Sequence, residues 1–217
     1  MPEIDLKRIN ITVVYETLRD VFISIDKIKR AYDDAKIIDG PEYLKIVDFV
    51  KEVQKCRIQA NYNENRLHIN MVSLTEDLKE INDYPLDHFV KVANKLEEAV
   101  EDSKNIIGYG FNFDGKGEFD GERADEVFKN IFIKESNDLE SKLGGNISKF
   151  APKFMVEYDD FALNVSLNPI DEPANFFKLH LNTHFQRTLF PNTNELKEDL
   201  KGYYNKAINN LGEILVR

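Results

Sequence analysis

The sequence predicts an α+β protein built on antiparallel β-sheet, with long amphipathic helices packed on one face. Apolar and polar residues alternate between Phe154 and Gln186, which is the period of half-buried strands. The residues Tyr158, Asp159 and Asp160 predict the turn of a hairpin within this segment. Apolar residues instead recur every three or four positions over 86–103 and 194–216, as in helices that bury one side. Both periods in one chain of 217 residues indicate an α+β fold.

The N-terminal part of the chain predicts two strands and a helix. Strand Ile9–Glu16 places alternate residues, Ile9, Ile11, Val13 and Tyr15, on one side, with Val14 on the other. Segment Val21–Ile25 is expected to pair with this strand. Helical spacing follows over 26–38, with Asp26 as its N-cap, and the pair Gly40 and Pro41 ends it.

The segment 42–56 admits two interpretations. Its apolar residues Leu44, Val47, Val50 and Val53 form a helical stripe, whereas the density of β-branched residues in the segment also allows a strand. Helix is the interpretation adopted. A hairpin is then predicted over Arg57–Val72, with its turn at 63–65.

The central part of the chain predicts a helix, a strand and a loop. Asp83 or Asp87 is the expected N-cap of the helix 86–103. Strand 106–113 carries Gly108 and Gly110 on one face, which would let a backbone or a ligand approach closely. The glycine-rich acidic segment 114–125 predicts a mobile loop or a domain boundary, and a helix is expected over 124–142.

An internal duplication is one interpretation of this order. Aligning Tyr62 with Tyr158 superposes the apolar positions of two hairpins, each followed by a long helix and accompanied by a Phe-rich strand. The chain would then comprise two α+β halves, 1–113 and 122–217, either separate or joined in one continuous domain. The other interpretation is that any two alternating hairpins resemble each other.

Composition restricts the class of protein. The formal net charge of −10 opposes binding to nucleic acid phosphate or to an anionic membrane, and no apolar run approaches the ~20 residues that cross a bilayer. The single cysteine, Cys56, excludes an internal disulfide, and together with the charged N-terminus it favours a cytoplasmic location. We therefore expect no membrane association and regard nucleic acid binding as disfavoured.

Catalytic and metal motifs are absent from the sequence. It contains no phosphate-binding loop, no H-E-x-x-H, no G-x-S-x-G and no C-x-x-C. The acidic run 114–120 resembles a calcium loop in composition, but Lys116 occupies a position where an oxygen ligand is needed. We therefore expect neither a metal nor a cofactor.

Three histidines are the candidate catalytic residues. His180 and His184 project from the same face of one predicted strand, about 13 Å apart at ~3.3 Å per residue. His68, on the earlier hairpin, would approach them only if both hairpins belong to one sheet. A general base or a three-histidine metal site would then be formed.

The polar side of the predicted sheet is rich in amides and imidazoles and poor in carboxylates. Its candidate binding residues are Asn112, Asn164, Asn182 and Gln186. Uncharged hydrogen-bonding groups cost less to desolvate than ions, which suits a binding surface, although an antiparallel sheet can also simply expose one side to water. The favoured function is a non-enzymatic, homodimeric protein-binding or assembly protein, and the alternative is a hydrolase that uses the histidine-bearing face, with or without a metal.

Overall fold

The structure is a computed structural model, and it describes residues 2–16, 23–33, 36–39, 44–63, 65–100, 105–133 and 136–215. Within these ranges the chain forms nine strands and five α-helices. The strands are β1 (Glu3–Tyr15), β2 (Lys36–Asp39), β3 (Leu44–Val53), β4 (Cys56–Asn63), β5 (Arg66–Ser73), β6 (Ile106–Glu118), β7 (Lys153–Glu157), β8 (Ala162–Pro169) and β9 (Phe176–His184). The helices are α1 (Ile25–Ala31), α2 (Leu86–Glu98), α3 (Ala124–Phe132), α4 (Ser136–Leu143) and α5 (Thr193–Leu215).

All nine strands belong to one antiparallel sheet. Its order is β2-β3-β4-β5-β1-β6-β9-β8-β7, so the two longest strands, β1 and β6, pair at its centre. The strands that follow each of them along the chain extend the sheet outward on opposite sides. The predicted fold class, α+β with antiparallel sheet, is confirmed.

One face of the sheet carries the hydrophobic core beneath the helices. The ring of Tyr204 on α5 packs against Phe113, and the ring of Phe128 on α3 packs against Phe177, each at 5.1 Å between centroids. Tyr62 on β4 donates a hydrogen bond of 2.7 Å to the carbonyl of Leu96 on α2. Helix α5 buries one stripe of side chains, which consists of Leu196, Leu200, Tyr204, Ala207, Leu211 and Leu215. Burying each large apolar side chain contributes about 1.5–3 kcal/mol to the free energy of unfolding. The long amphipathic helices therefore cover one face, as expected.

The strands predicted from alternation are confirmed, with changed ends. β1 begins at Glu3 rather than Ile9, and its buried and exposed positions alternate as predicted. The hairpins β4–β5 and β7–β8, the strand β9 and the helix α5 lie where the sequence places them.

The helix predicted over 42–56 is wrong, because Leu44–Val53 forms strand β3, paired with β2 on one side and β4 on the other. The i, i+3 spacing of four apolar residues suggested a helix, but β-branched side chains and two partner strands favour the extended backbone. The helix predicted over 26–38 is likewise only partly present. It ends at Ala31, its N-cap is Ser24 rather than Asp26, and Lys36–Asp39 is strand β2.

The segment around Val21–Ile25 also differs, since Ile23 forms an isolated bridge with Val100 and the helix begins at Ile25. Residues 21 and 22 lie outside the described ranges. Helix α2 begins after Pro85 without a side-chain cap, so neither Asp83 nor Asp87 has the expected role. Asp83 instead accepts hydrogen bonds from the backbone N–H groups of Lys79 and Glu80.

The loop predicted over 114–125 is shorter than expected. Residues 114–118 continue β6, because β1 and β9 both supply partner strands as far as Glu118. Helix 124–142 is divided into α3 and α4. The division into halves 1–113 and 122–217 and the internal duplication both stay predictions.

Candidate functional site

The face of the sheet opposite the core contains a broad depression of about 700 Å³. Among the described residues, no helical residue lines it. The described lining includes six asparagines, three histidines and two arginines but no aspartate or glutamate, in a chain with 39 acidic residues. We call this side of the sheet the open face.

Five asparagines form one row across the floor of the depression. They occupy matched register positions on five adjacent strands, in the order Asn70 (β5), Asn10 (β1), Asn112 (β6), Asn182 (β9) and Asn164 (β8). At ~4.8 Å between strands the row is about 19 Å long. Beyond its ends, Gln59 of β4 is paired with Asn70 and Met155 of β7 with Asn164. We call these five residues the asparagine row.

Hydrogen bonds join the side-chain amides along the whole row. Asn164 donates to Asn182 at 3.4 Å, and Asn182 donates to Asn112 at 2.5 Å. Asn112 donates to Asn10 at 2.6 Å, and Asn10 donates to Asn70 at 3.1 Å. All four hydrogen bonds are therefore donated in the same direction along the row, toward Asn70. Such aligned chains of hydrogen bonds polarise and strengthen one another.

A single backbone carbonyl determines the direction of the hydrogen bonds in the asparagine row. Nδ2 of Asn10 lies 3.2 Å from the carbonyl oxygen of Ile69, which can only accept, so this atom must be the amide nitrogen. Oδ1 of Asn10 therefore faces Asn112 and must accept its hydrogen bond. The same reasoning orients each following amide. The row consequently ends in free N–H groups at Asn70 and in a carbonyl oxygen at Asn164.

The same network determines which nitrogen of His68 carries a proton. Thr12 donates its only hydroxyl proton to Oδ1 of Asn10, at 2.8 Å. Nδ1 of His68 lies 2.9 Å from the same hydroxyl oxygen, so Nδ1 must be the donor in that contact. Nε2 of a neutral His68 is then an acceptor. Partial burial and the nearby Arg66 lower the pKa of His68, which favours this neutral form.

The carboxylate of Asp114 lies on the open face beside the depression. Asp114 on β6 accepts a hydrogen bond of 2.7 Å from Nδ1 of His180 on β9 and one of 2.6 Å from Arg8 on β1. Partial burial acts to raise the pKa of Asp114, but these two contacts outweigh it and the pKa is lowered. Sequence reasoning missed this partner because it placed Asp114 in a loop.

The three candidate histidines do not converge. His68 and His184 lie in the same cross-strand row but are separated by three strand spacings, which is about 14 Å. His180 lies four residues from His184 on the same strand, and its Nδ1 is occupied by Asp114. No group of three metal-ligating side chains occurs among the described residues. The arrangement therefore offers separate imidazoles and no shared metal site.

The backbone of residues 183–185, at the end of strand β9, occupies the space beside Gly108 and Gly110 where side chains would otherwise lie. The carbonyl oxygen of Thr183 lies 2.1 Å from where a Cβ of Gly110 would stand, and that of Phe185 lies 2.6 Å from the corresponding point at Gly108. The hydroxyl of Thr183 accepts from the N–H of Phe111 at 3.0 Å, in place of a ladder bond. The close approach expected here is therefore made by the protein's own backbone.

The predicted binding residues fall into two groups. Asn112, Asn164 and Asn182 lie in the asparagine row, whereas Gln186 follows the end of β9 and lines a separate shallow site with Asp160 and Arg187. Sequence reasoning missed Asn10, which is 6% exposed between Asn70 and Asn112 in the row, and Thr12. The signal was present in INITVVY, where both residues alternate with buried ones.

None of the described helices is both long enough and apolar enough to cross a membrane. Comparison with models of protein families, with curated proteins and with solved structures gives no match for this chain.

Proposed function

We propose that this chain is a non-enzymatic binding protein that holds a protein partner on its open face. The observation that carries the proposal is the asparagine row, five hydrogen-bonded amides in a depression whose described lining residues include no carboxylate. Amides offer hydrogen bonds to a partner at a lower desolvation cost than ions. The proposal requires neither a metal nor a cofactor.

The dimensions of the open face fit a macromolecular partner. The seven strands from β4 to β7 cover about 29 Å at ~4.8 Å per spacing, and strands of eight residues are about 26 Å long. The product, about 750 Å², is close to the ~800 Å² that each partner buries in a standard protein–protein interface. Pockets for small molecules are more enclosed and more apolar than this depression.

The row is also rigid before any partner binds. Asn10 makes hydrogen bonds to Ile69 and Asn70 and accepts others from Asn112 and Thr12, so its amide has one orientation. Ordering side chains costs about 0.5–1.5 kcal/mol each on association. A network already fixed by internal hydrogen bonds avoids part of that cost.

Location and self-association complete the proposal. We place the protein in the cytoplasm, because its one cysteine is buried and forms no disulfide. A homodimer that joined two open faces would bring Arg66 of both copies into one depression, and like charges disfavour that arrangement. The expected homodimer would therefore leave the open face free, and native mass spectrometry measures the subunit count.

A pair of cysteine variants tests the binding surface. Cys56 is 1% exposed and burial raises its pKa to about 11, so a thiol-reactive photo-crosslinker at neutral pH attaches only to a newly introduced cysteine. Met155→Cys places the label on the open face, and Asn209→Cys places it on the exposed side of α5.

We expect the open-face label to crosslink a defined polypeptide that the α5 label does not capture. That polypeptide, identified by mass spectrometry and purified, should bind the unlabelled chain and should bind an Asn112→Leu variant at least tenfold more weakly. Crosslinking from α5 alone, or equal binding by the Asn112→Leu variant, would contradict the proposal.

A hydrolase is the second candidate, and one arrangement favours it. Asp114 holds Nδ1 of His180, and Ser166 on β8 is the cross-strand neighbour of His180. Nε2 of His180 would take the proton of the Ser166 hydroxyl as its oxygen attacks a carbonyl carbon. A fluorophosphonate probe that labels the protein but not the Ser166→Ala variant would support this function. Equal labelling of both, or none, would exclude Ser166 as a nucleophile.

A further inference from the structure

The two ends of the asparagine row differ chemically, and this difference specifies the ligand. Because the four hydrogen bonds of the row are all donated toward β5, Asn70 ends the row with N–H groups that are unused among the described contacts, and Asn164 ends it with a carbonyl oxygen. The amide dipoles are aligned along about 19 Å, so the Asn70 end is the positive one.

The charged side chains of the depression strengthen this polarity. Arg66 is exposed on β5, the strand of Asn70, and it lines the depression with Asn61 and His68. Arg8 also lines the depression, but Asp114 neutralises it, so Arg66 is the cation without a carboxylate partner among the described contacts. At the opposite end Asn164 pairs with Met155 and Asn182, which carry no charge. The charged residues on either side of Met155 on β7, Lys153 and Glu157, have opposite signs, so they add no net charge at that end.

Internal hydrogen bonds use acceptor sites and donors of the row equally, so what distinguishes its two ends is which groups stay unused there. Oδ1 of Asn10 accepts from both Asn112 and Thr12, and Oδ1 of Asn70, of Asn112 and of Asn182 each accept once. Each amide has two N–H donors, and those of Asn70 are both unused among the described contacts, whereas Asn164 uses one. The Asn70 end therefore presents two donors beside a cation, which complements carboxylates and carbonyl oxygens.

We propose that the occupant of the open face is an extended acidic segment of the protein partner, bound with its carboxylates at the Asn70 and Arg66 end of the row. This inference rests on the function proposed above and names the chemistry of its partner. Nucleic acid is the other polyanion to consider. It is disfavoured because the chain carries a net charge of −10, which opposes a ligand with one negative charge per nucleotide more strongly than a short peptide.

Three fluorescent probes test the proposal by anisotropy in dilute salt. They are an eight-residue peptide alternating Glu and Gly, its counterpart with Gln in place of Glu, and a single-stranded oligonucleotide of the same length. We expect the Glu peptide to bind at least tenfold more tightly than the Gln peptide, and its binding to weaken as salt is added. No saturation by the Glu peptide up to about 1 mM protein, equal affinity for both peptides, or preference for the oligonucleotide would overturn the proposal.

A matched pair of variants tests the direction. Asn70→Asp and Asn164→Asp change the net charge equally, but they place the new carboxylate at opposite ends of the row. We expect Asn70→Asp and Arg66→Gln to weaken binding of the Glu peptide at least tenfold, and Asn164→Asp to change it less than threefold. Circular dichroism confirms that each variant is folded. Equal losses for the two aspartate variants would refute the assigned direction.

The outcomes separate this inference from the proposed function. If a partner crosslinks from Met155→Cys but neither peptide discriminates, the open face binds a protein and the acidic assignment is wrong. If crosslinks form only from Asn209→Cys, the proposed function fails, whatever the peptides show.

Discussion

Asn112 on β6 donates a hydrogen bond of 2.6 Å to Asn10 on β1, at the centre of the sheet where these strands pair. Asn10 is 6% exposed and makes three further side-chain hydrogen bonds. Replacing Asn10 by Ala removes all four and leaves neighbouring polar groups without partners. We expect the free energy of unfolding to fall by about 1–3 kcal/mol, measured by urea denaturation.

Asn168→Ala is the control for that measurement. Asn168 is exposed on β8 and donates to Ser166 at 3.1 Å, outside the asparagine row. Its removal should change the free energy of unfolding by less than about 0.5 kcal/mol. If both variants lost the same free energy of unfolding, neither the burial of Asn10 nor its hydrogen bonds in the row would contribute to stability.

The pKa of His68 makes stability depend on pH. Burial and Arg66 lower this pKa from its ordinary value of 6.5, so the unfolded chain binds the proton first as the pH falls. The contribution of His68 is therefore complete above about pH 6.5 and is lost as the pH falls through the lower, folded-state pKa. Just below pH 6.5, the free energy of unfolding should therefore decrease less steeply with falling pH in the His68→Gln variant than in the unchanged protein.

Nuclear magnetic resonance checks the same residue directly. A titration should place the midpoint of His68 below 6.5, and a ¹H–¹⁵N correlation of its ring should show the proton on Nδ1 at neutral pH. A proton on Nε2, or a midpoint above 6.5, would contradict the hydrogen-bond directions deduced from Ile69 and Thr12.

Gly110 cannot carry a side chain without displacing strand β9. A Cβ at this position would stand 2.1 Å from the carbonyl oxygen of Thr183, which is backbone and has little freedom to move. We expect Gly110→Ala to lower the free energy of unfolding by about 1–3 kcal/mol, as overpacking does. A thermal melt followed by circular dichroism measures the change, and a neutral result would show that β9 moves easily at this point.

Gly202 should respond in the opposite direction. It lies in the interior of α5, it is exposed, and a Cβ there would meet no atom within 4 Å. Glycine in a helix costs roughly 0.5–1 kcal/mol relative to alanine. Gly202→Ala should therefore raise the free energy of unfolding by about that amount in urea denaturation. A decrease would indicate that this side of α5 contacts something else in solution.

Much of the secondary structure follows from local patterns in the sequence. Alternation predicts β5, β8 and β9 because each buries one side against the helices, and helical spacing predicts α5 for the same reason. The prediction was wrong at Leu44–Val53, where apolar residues spaced three apart favour a helix, but pairing with β4 determined the outcome. It also failed at 114–118, where β6 continues because partner strands lie on both sides.

The asparagine row was beyond such reasoning for a different reason. Alternation tells which side of a strand Asn112 or Asn182 occupies, but not which residue of a distant strand lies opposite. The pairing of Asn112 with Asn182 joins positions 70 residues apart. Only the register of the assembled sheet brings the five amides into one line and Asp114 beside His180.

The residue that follows the row limits how the sheet can associate with other strands. In fibrils an asparagine ladder lengthens because every incoming strand presents the same amide in register. Here the position next to Asn164 belongs to Met155, whose thioether donates no hydrogen bond and accepts only weakly. A foreign strand added beside β7 would therefore meet no amide that could extend the ladder. The side-chain hydrogen bonding of the row thus ends before this edge of the sheet and does not favour polymerisation there.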